Sequence, residues 1–351
     1  MNYTYIDTPY DMIYMCQDQL ESQESSTLCY CSHLLGILSA YVFPLVGGFS
    51  LISNLLICYI FMVKYTNKSR QTIFLTCLSF YECMFIIIYG WLWLFPAKGL
   101  PYASQGEIYF FILNISNEIC IFYRGLFFTT STLFCGAFLM VCIDRLLAIY
   151  FPMKMIKYGY KSAIYSCLGM TSFFTVASTV ISVFLRQVKI GLKIYCTPFY
   201  GYSETTVNIL LWYRFLFNGT GLVSVVMILL ANICLIWKIW ENNKKMKKVR
   251  EIQAKICQKE IKATVIVLIL STGYLVSSLP HVALVFANTY VQNSASSDNS
   301  IQNRMQILNN IGDICLLCSF FVGAINIFIY KAKMKHFSDE INKIFRKEID
   351  R

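Results

Sequence analysis

Apolar residues in this chain gather into seven long runs, at about 35–63, 71–96, 117–150, 162–186, 206–240, 261–289 and 306–331. Each reaches about twenty residues or more, enough as a helix to cross a hydrocarbon layer roughly 30 Å thick. Backbone amides in lipid must find partners within their own segment, so helix is the form predicted for every run. Short connections then predict an all-α membrane protein, a seven-helix bundle without internal repeat. The fourth and fifth runs are the least sharply bounded. The pattern divides the chain into a leading tail (1–34), a seven-helix domain (35–331) and a trailing segment (332–351).

Composition agrees. Of 351 residues, 57% are hydrophobic and 14% charged, with a mean hydropathy of +0.55; soluble domains carry about 25% charged residues. The charge is also placed unevenly. Segments 64–70, 145–161, 238–262 and 331–351 hold 23 of the 30 Lys and Arg residues, all on one side of the predicted bundle. The first 34 residues hold none, but carry Asp7, Asp11, Asp18, Glu21 and Glu24. Basic residues mark the cytoplasmic side, so the N-terminus is expected outside and the C-terminus inside. The net charge of +11 then faces anionic lipid. A nucleic-acid partner would need a soluble basic face, and none is expected. The start "MNYTYIDTPYD" has neither the basic nor the apolar part of a cleavable signal peptide; the first run is expected to serve as the insertion signal. Asn2 is then a candidate glycan acceptor, whereas Asn218, within the fifth run, and Asn67, on the cytoplasmic side, are expected to be silent.

Most of the fifteen cysteines fall within runs, where the residue behaves as a small apolar side chain. Candidates for the outside are Cys16, Cys29, Cys31, Cys120 and Cys196. A pair between Cys120, at the outer end of the third run, and Cys196, in the connection after the fourth, is chemically permitted. The three N-terminal cysteines leave an odd one, so their pairing stays open. The three His, at 33, 281 and 336, show no metal-ligand spacing; no metal and no cofactor are expected.

Few charges interrupt the runs. Asp144 and Arg145 stand side by side at the inner end of the third, and Glu260 starts the sixth. Glu82 lies in mid-run within "FLTCLSFYECMFIIIYGWLWLF", where a charge is costly and must be neutralised, hydrated or paired. Asn54 of the first run and Asn326 of the seventh are its expected polar partners. Each charge also has a plain reading: a snorkelling arginine with a counter-ion, a protonated glutamic acid, a solvated surface glutamate.

Taken in order, the motifs resemble those of the rhodopsin-like (class A) G-protein-coupled receptors, from about 45 to 337. "DRLLAIYFP" (144–152) is similar to the Asp-Arg-Tyr…Pro signature. "SNLLI" (53–57) resembles Gly-Asn-x-x-Val, "LSFYE" (78–82) resembles Leu-Ala-x-x-Asp, and "NIFIY" (326–330), ending on Tyr330, resembles Asn-Pro-x-x-Tyr. Cys120 and Cys196 match the family's loop disulfide. Phe337 falls where a short amphipathic eighth helix begins, with Lys and Phe/Ile alternating over 332–347. The resemblance implies a plasma-membrane receptor in which Asp144, with Glu260, holds Arg145 at rest. Outward movement of the sixth helix then frees Arg145 for a heterotrimeric G protein.

The departures are as informative. Ser278 stands where the family has its rotamer-switch Trp, although Pro280 remains and is expected to kink the sixth helix. The fourth run lacks its Trp and the fifth any Pro. Phe134 replaces a serine of the family's sodium site, which puts sodium at Glu82 in doubt. Phe127 holds the position of the aspartate that binds amines, and Phe320 that of the opsin lysine, so neither an amine nor retinal is expected.

Arg124, Arg186, Lys189, Lys193, Arg214 and Arg304 face Glu107, Glu118, Glu204, Asp298 and Asp313 at the outer rim. Mixed charge with aromatic neighbours suits a peptide, and Phe127, Ser131, Ser278 and His281 are the candidate ligand contacts. On the inside, Ser338 is the one hydroxyl after 331, so little tail-phosphorylation-dependent arrestin recruitment is expected. The alternative function is a transporter or ion channel using Glu82. An enzyme would need a convergent set of nucleophile, base or metal ligands, and the sequence offers none.

Overall fold

The computed structural model describes residues 8–17, 23–65, 68–182, 186–190, 193–197, 205, 206, 209, 222–246, 251–293 and 299–349. Among the described residues six helices are long and apolar enough to cross a membrane: Ser26–Lys64, Arg70–Ala103, Asn117–Tyr150, Leu222–Asn242, Glu260–Leu284 and Asn303–Lys333. Tyr160–Ser182, packed on the second and third of the bundle, is the remaining helix of the seven. We call them the first to seventh spans in chain order. The third touches the second, fourth, fifth and sixth, and the seventh packs back on the first to close the ring.

Lipid explains which side chains point where. Leu45, Ile52, Phe173, Val276 and Phe328 are exposed, while Ser50, Asn54, Ser79, Glu82 and Asn326 are buried. A soluble protein does not present apolar surface on this scale; a multi-pass membrane protein does. Trp237 and Trp240, both exposed and with ring centroids 5.8 Å apart, lie near the C-terminal end of the fifth span. Lys244 sits over the Trp240 ring at 3.4 Å, as in the aromatic and basic belts of a membrane interface.

Several boundaries differ from the hydropathy pattern. The helix of the first span begins at Gln23, not at 35, because the polar Ser and Thr residues there still continue the helical backbone. The leading tail contains a helix of its own, Pro9–Gln17, started by proline and capped by the Thr8 hydroxyl on the Asp11 amide at 3.2 Å. Tyr109 donates to Asp11 at 2.6 Å, fastening this helix over the turn after the second span. Gly106 makes that turn with φ +81°, in the left-handed region that favours glycine.

The connection after the fourth span is not helical. Arg186–Ile190 (β1) and Lys193–Thr197 (β2) pair antiparallel, with Gln187 opposite Cys196. The bundle itself is helical as expected; the hairpin adds a small sheet in this connection, and the fourth span ends before 186. Val188, Ile190, Ile194 and Tyr195 are the β-branched and aromatic types that favour strands. The sixth span continues through Pro280 as one helix, Glu251–Asn293, although proline deprives the Val276 carbonyl of its usual donor.

The amphipathic eighth helix is Lys335–Ile349. Phe337 and Ile341 are buried, and the Phe337 ring lies 5.3 Å from Phe61 and 5.7 Å from Tyr330. Tyr65, just past the first span, packs 4.2 Å from His336, and burial pushes its phenol up to about 12. Nearby, Lys343 bonds Glu340 at 2.6 Å and holds that carboxyl below its ordinary value.

Candidate functional site

Four charges meet at one mouth of the bundle, where the third span ends and the sixth begins. Asp144 pairs with Arg145 beside it, and Arg145 Nη1 reaches Glu260 Oε2 of the sixth span at 3.3 Å. The side chains of Asp144 and Arg145 are 2% and 6% exposed, against 33% for Glu260. Asp144, Arg145 and Glu260 are thus brought together. The third span stops just beyond them because Phe151, preceding Pro152, leaves the helical region at φ −129°, ψ 56°. Pro152 then starts the short helix Pro152–Lys157.

The fourth charge was not foreseen. Arg70 gives both Nη2 (2.6 Å) and Nε (3.0 Å) to Asp144 Oδ1, and Nη1 (3.2 Å) to Ser162 at the start of the fourth span. In the sequence Arg70 counts only as one of three basic residues in a turn. The available signal was its helical position. Ser69 caps the second span through the Thr72 amide, with Thr72 bonding back to the Ser69 amide at 3.0 Å. Arg70 is therefore the first helical residue, where the macrodipole disfavours a cation.

Glu82 sits in mid-bundle, buried, and accepts the Asn326 amide at 2.9 Å. Asn54 flanks the same carboxylate, its own amide bonded to Ser50 O at 3.0 Å. Gly323 makes room: a Cβ there would overlap the Glu82 carboxylate and come 2.8 Å from Ser50 Oγ. Tyr330 is wholly buried between Phe61 and Phe337. Asn54, Glu82 and Asn326 thus form one contact set, whereas Tyr330 belongs to the packing of the eighth helix.

Above Glu82 the bundle is filled with rings. Phe85 stacks on Phe134 at 5.3 Å and on Tyr89 at 5.4 Å, and Tyr274 stacks on Phe138 at 4.5 Å. Tyr274 also donates to Cys135 Sγ at 3.0 Å. Ser278 is buried, and Tyr274, one turn before it, also lies edge-on to Phe134 at 5.8 Å. The sequence shows the missing Trp but not this ring cluster, which only packing assembles.

The other candidate ligand contacts are scattered along the half of the bundle away from Arg145. Phe127 is half-buried, 5.5 Å from the Tyr89 ring. Ser131 bonds back to Phe128 O at 3.1 Å. His281 Nδ1 donates to Gly312 O at 3.1 Å, tying the sixth span to the seventh. Nearer the rim, Tyr89 donates to Asp313 at 3.1 Å, and Lys98 and Arg124 act on the same carboxylate electrostatically. Cys29 and Cys120 are each disulfide-bonded and Cys31 is free. Asn2, Asn67 and Asn218, and the side chains of Cys16, Cys196, Arg186, Lys189, Lys193, Glu204, Arg214 and Asp298, lie outside the described residues.

Residues 53–330 match the model of the 7 transmembrane receptor (rhodopsin family). No curated protein matches the sequence.

Proposed function

Because the chain belongs to the rhodopsin family of seven-transmembrane receptors, we propose that it converts binding of an extracellular ligand into activation of a heterotrimeric G protein. In this reading it stands in the plasma membrane with its N-terminus outside. One observation carries the proposal: Arg145 is buried between Asp144 and Glu260, on different spans. Outward movement of the sixth span removes Glu260 and opens a path for Arg145 to the G protein. An ion pair as exposed as Arg145–Glu260 contributes about 1 kcal/mol or less. Moving a two-state equilibrium from mostly resting to mostly active takes about 5.5 kcal/mol. Ligand contacts and the aromatic packing above must therefore supply most of the difference.

The ligand we infer is a neuropeptide-like peptide. Acid and base stand together near the rim, with Asp313 held by Tyr89 beside Lys98 and Arg124, which suits a ligand carrying both charges. Phe127, Ser131, Ser278 and His281 remain the proposed contacts. Cys120 is proposed to pair with Cys196 and Asn2 to carry glycan. We read Glu82 without a sodium ion: Phe134 brings a ring, packed on Phe85, where the resemblance expects an oxygen. The partners are ligand, G protein and bilayer; neither catalysis nor nucleic acid enters this reading.

The test is a peptide-library screen in cells carrying a promiscuous G protein, with Arg145→Ala as control. A response lost on Arg145→Ala, at equal surface level, is expected. An unaffected response rejects the role given to Arg145. Ion flux without G protein would instead favour a transporter or channel built on Glu82.

A further inference from the structure

Asp144 has two guanidinium partners, and only one of them is the residue proposed to move. Oδ2 accepts Arg145, while Oδ1 accepts two nitrogens of Arg70. Arg70 is itself fixed, by Ser162 Oγ at 3.2 Å and by the Phe74 ring 5.8 Å from its guanidinium carbon. Its side chain is 15% exposed. These contacts involve the second and fourth spans and none of the sixth.

Breaking a buried ion pair costs most when one charge is left without a partner. If Arg145 left Asp144 alone, a carboxylate only 2% exposed would remain uncompensated, and the active state would carry that penalty. We propose that Arg70 is a stand-in counter-ion: it keeps Asp144 paired after Arg145 departs, and so makes release of Arg145 possible. Arg70 is a positioning residue acting through Asp144. The inference rests on Arg145 being the coupling residue. It runs against the simpler idea that every charge in the cluster locks the resting state. A lock would be weakened by removing Arg70; a stand-in would be missed chiefly in the active state.

The experiment needs no ligand. Basal coupling to a promiscuous G protein is measured in cells expressing the full chain, normalised to an N-terminal tag counted at the surface. Glu260→Gln supplies a raised baseline. Adding Arg70→Gln is expected to lower that baseline by about tenfold or more, the scale of leaving a buried charge unpaired. Arg70→Lys, which keeps the charge, retains most of the signal. Adding Asp144→Asn to Glu260→Gln/Arg70→Gln restores it, because an uncharged amide needs no counter-ion. That triple variant is also expected at the surface even if Arg70→Gln folds poorly, and its absence there overturns the inference. So does a baseline raised or unchanged by Arg70→Gln at equal surface level. If neither Glu260→Gln nor Asp144→Asn couples to any G protein, the receptor reading itself falls, and the stand-in with it.

Discussion

Asn326 of the seventh span donates its amide to Glu82 of the second at 2.9 Å, and the carboxylate lies in space that a side chain at Gly323 would fill. The bond joins two spans far apart in sequence at a buried carboxylate. It separates the polar floor of the bundle from the rings above it, and it makes the three residues interdependent.

Replacing Glu82 by alanine leaves the Asn326 amide buried without its acceptor, which costs about 1–3 kcal/mol. Glu82→Gln keeps an acceptor and is expected to lose much less. Thermal unfolding of the purified chain in detergent, followed by thiol or tryptophan fluorescence, should rank the variants wild type, Gln, Ala in falling order.

Gly323→Ala places a methyl group on the carboxylate, with the helix backbone on one side and Ser50 on the other. Surface expression should fall sharply. In a Glu82→Ala background the clash with the carboxylate is gone and Ser50 Oγ, at 2.8 Å, remains the close contact, so the two substitutions should couple strongly in a double-mutant cycle. Additive losses would contradict the contact.

Glu260→Ala removes a half-exposed ion pair worth about 1 kcal/mol or less. Basal coupling should rise, by no more than about fivefold on the scale of 1.4 kcal/mol per tenfold. A much larger rise would mean that Glu260 holds more than Arg145.

Thiol chemistry gives an independent check at the opposite mouth of the bundle. In intact, unreduced protein Cys31 should alkylate, whereas Cys29 and Cys120 react only after reduction. Cys120→Ser should lower stability by about 2–5 kcal/mol, the usual cost of losing a native disulfide in a small domain, and Cys31→Ser should be nearly neutral.

Phe337→Ala empties a fully buried site between Phe61 and Tyr330. At about 3–5 kcal/mol for a core phenylalanine, the eighth helix should detach from the bundle. Faster amide exchange over 335–349, with exchange in the spans unchanged, would report it.

Read alone, the sequence determined what depends on length, period and order: the apolar runs, the amphipathic eighth helix, and the motifs around Asn54, Glu82, Asp144, Arg145 and Asn326. Those features are local, because lipid demands that each segment satisfy its own backbone. Tertiary structure alone decided what meets across the bundle. Arg70 reads as one more basic turn residue until its helix lies beside Asp144. Gly323 has no visible purpose until Glu82 faces it, and Phe134, Phe138 and Tyr274 come together only once the spans are packed. The strands at 186–197 escaped for the same reason. Arg186, Gln187, Lys189 and Lys193 make these stretches read as a polar connection, and pairing, which is not local, is what makes them strands.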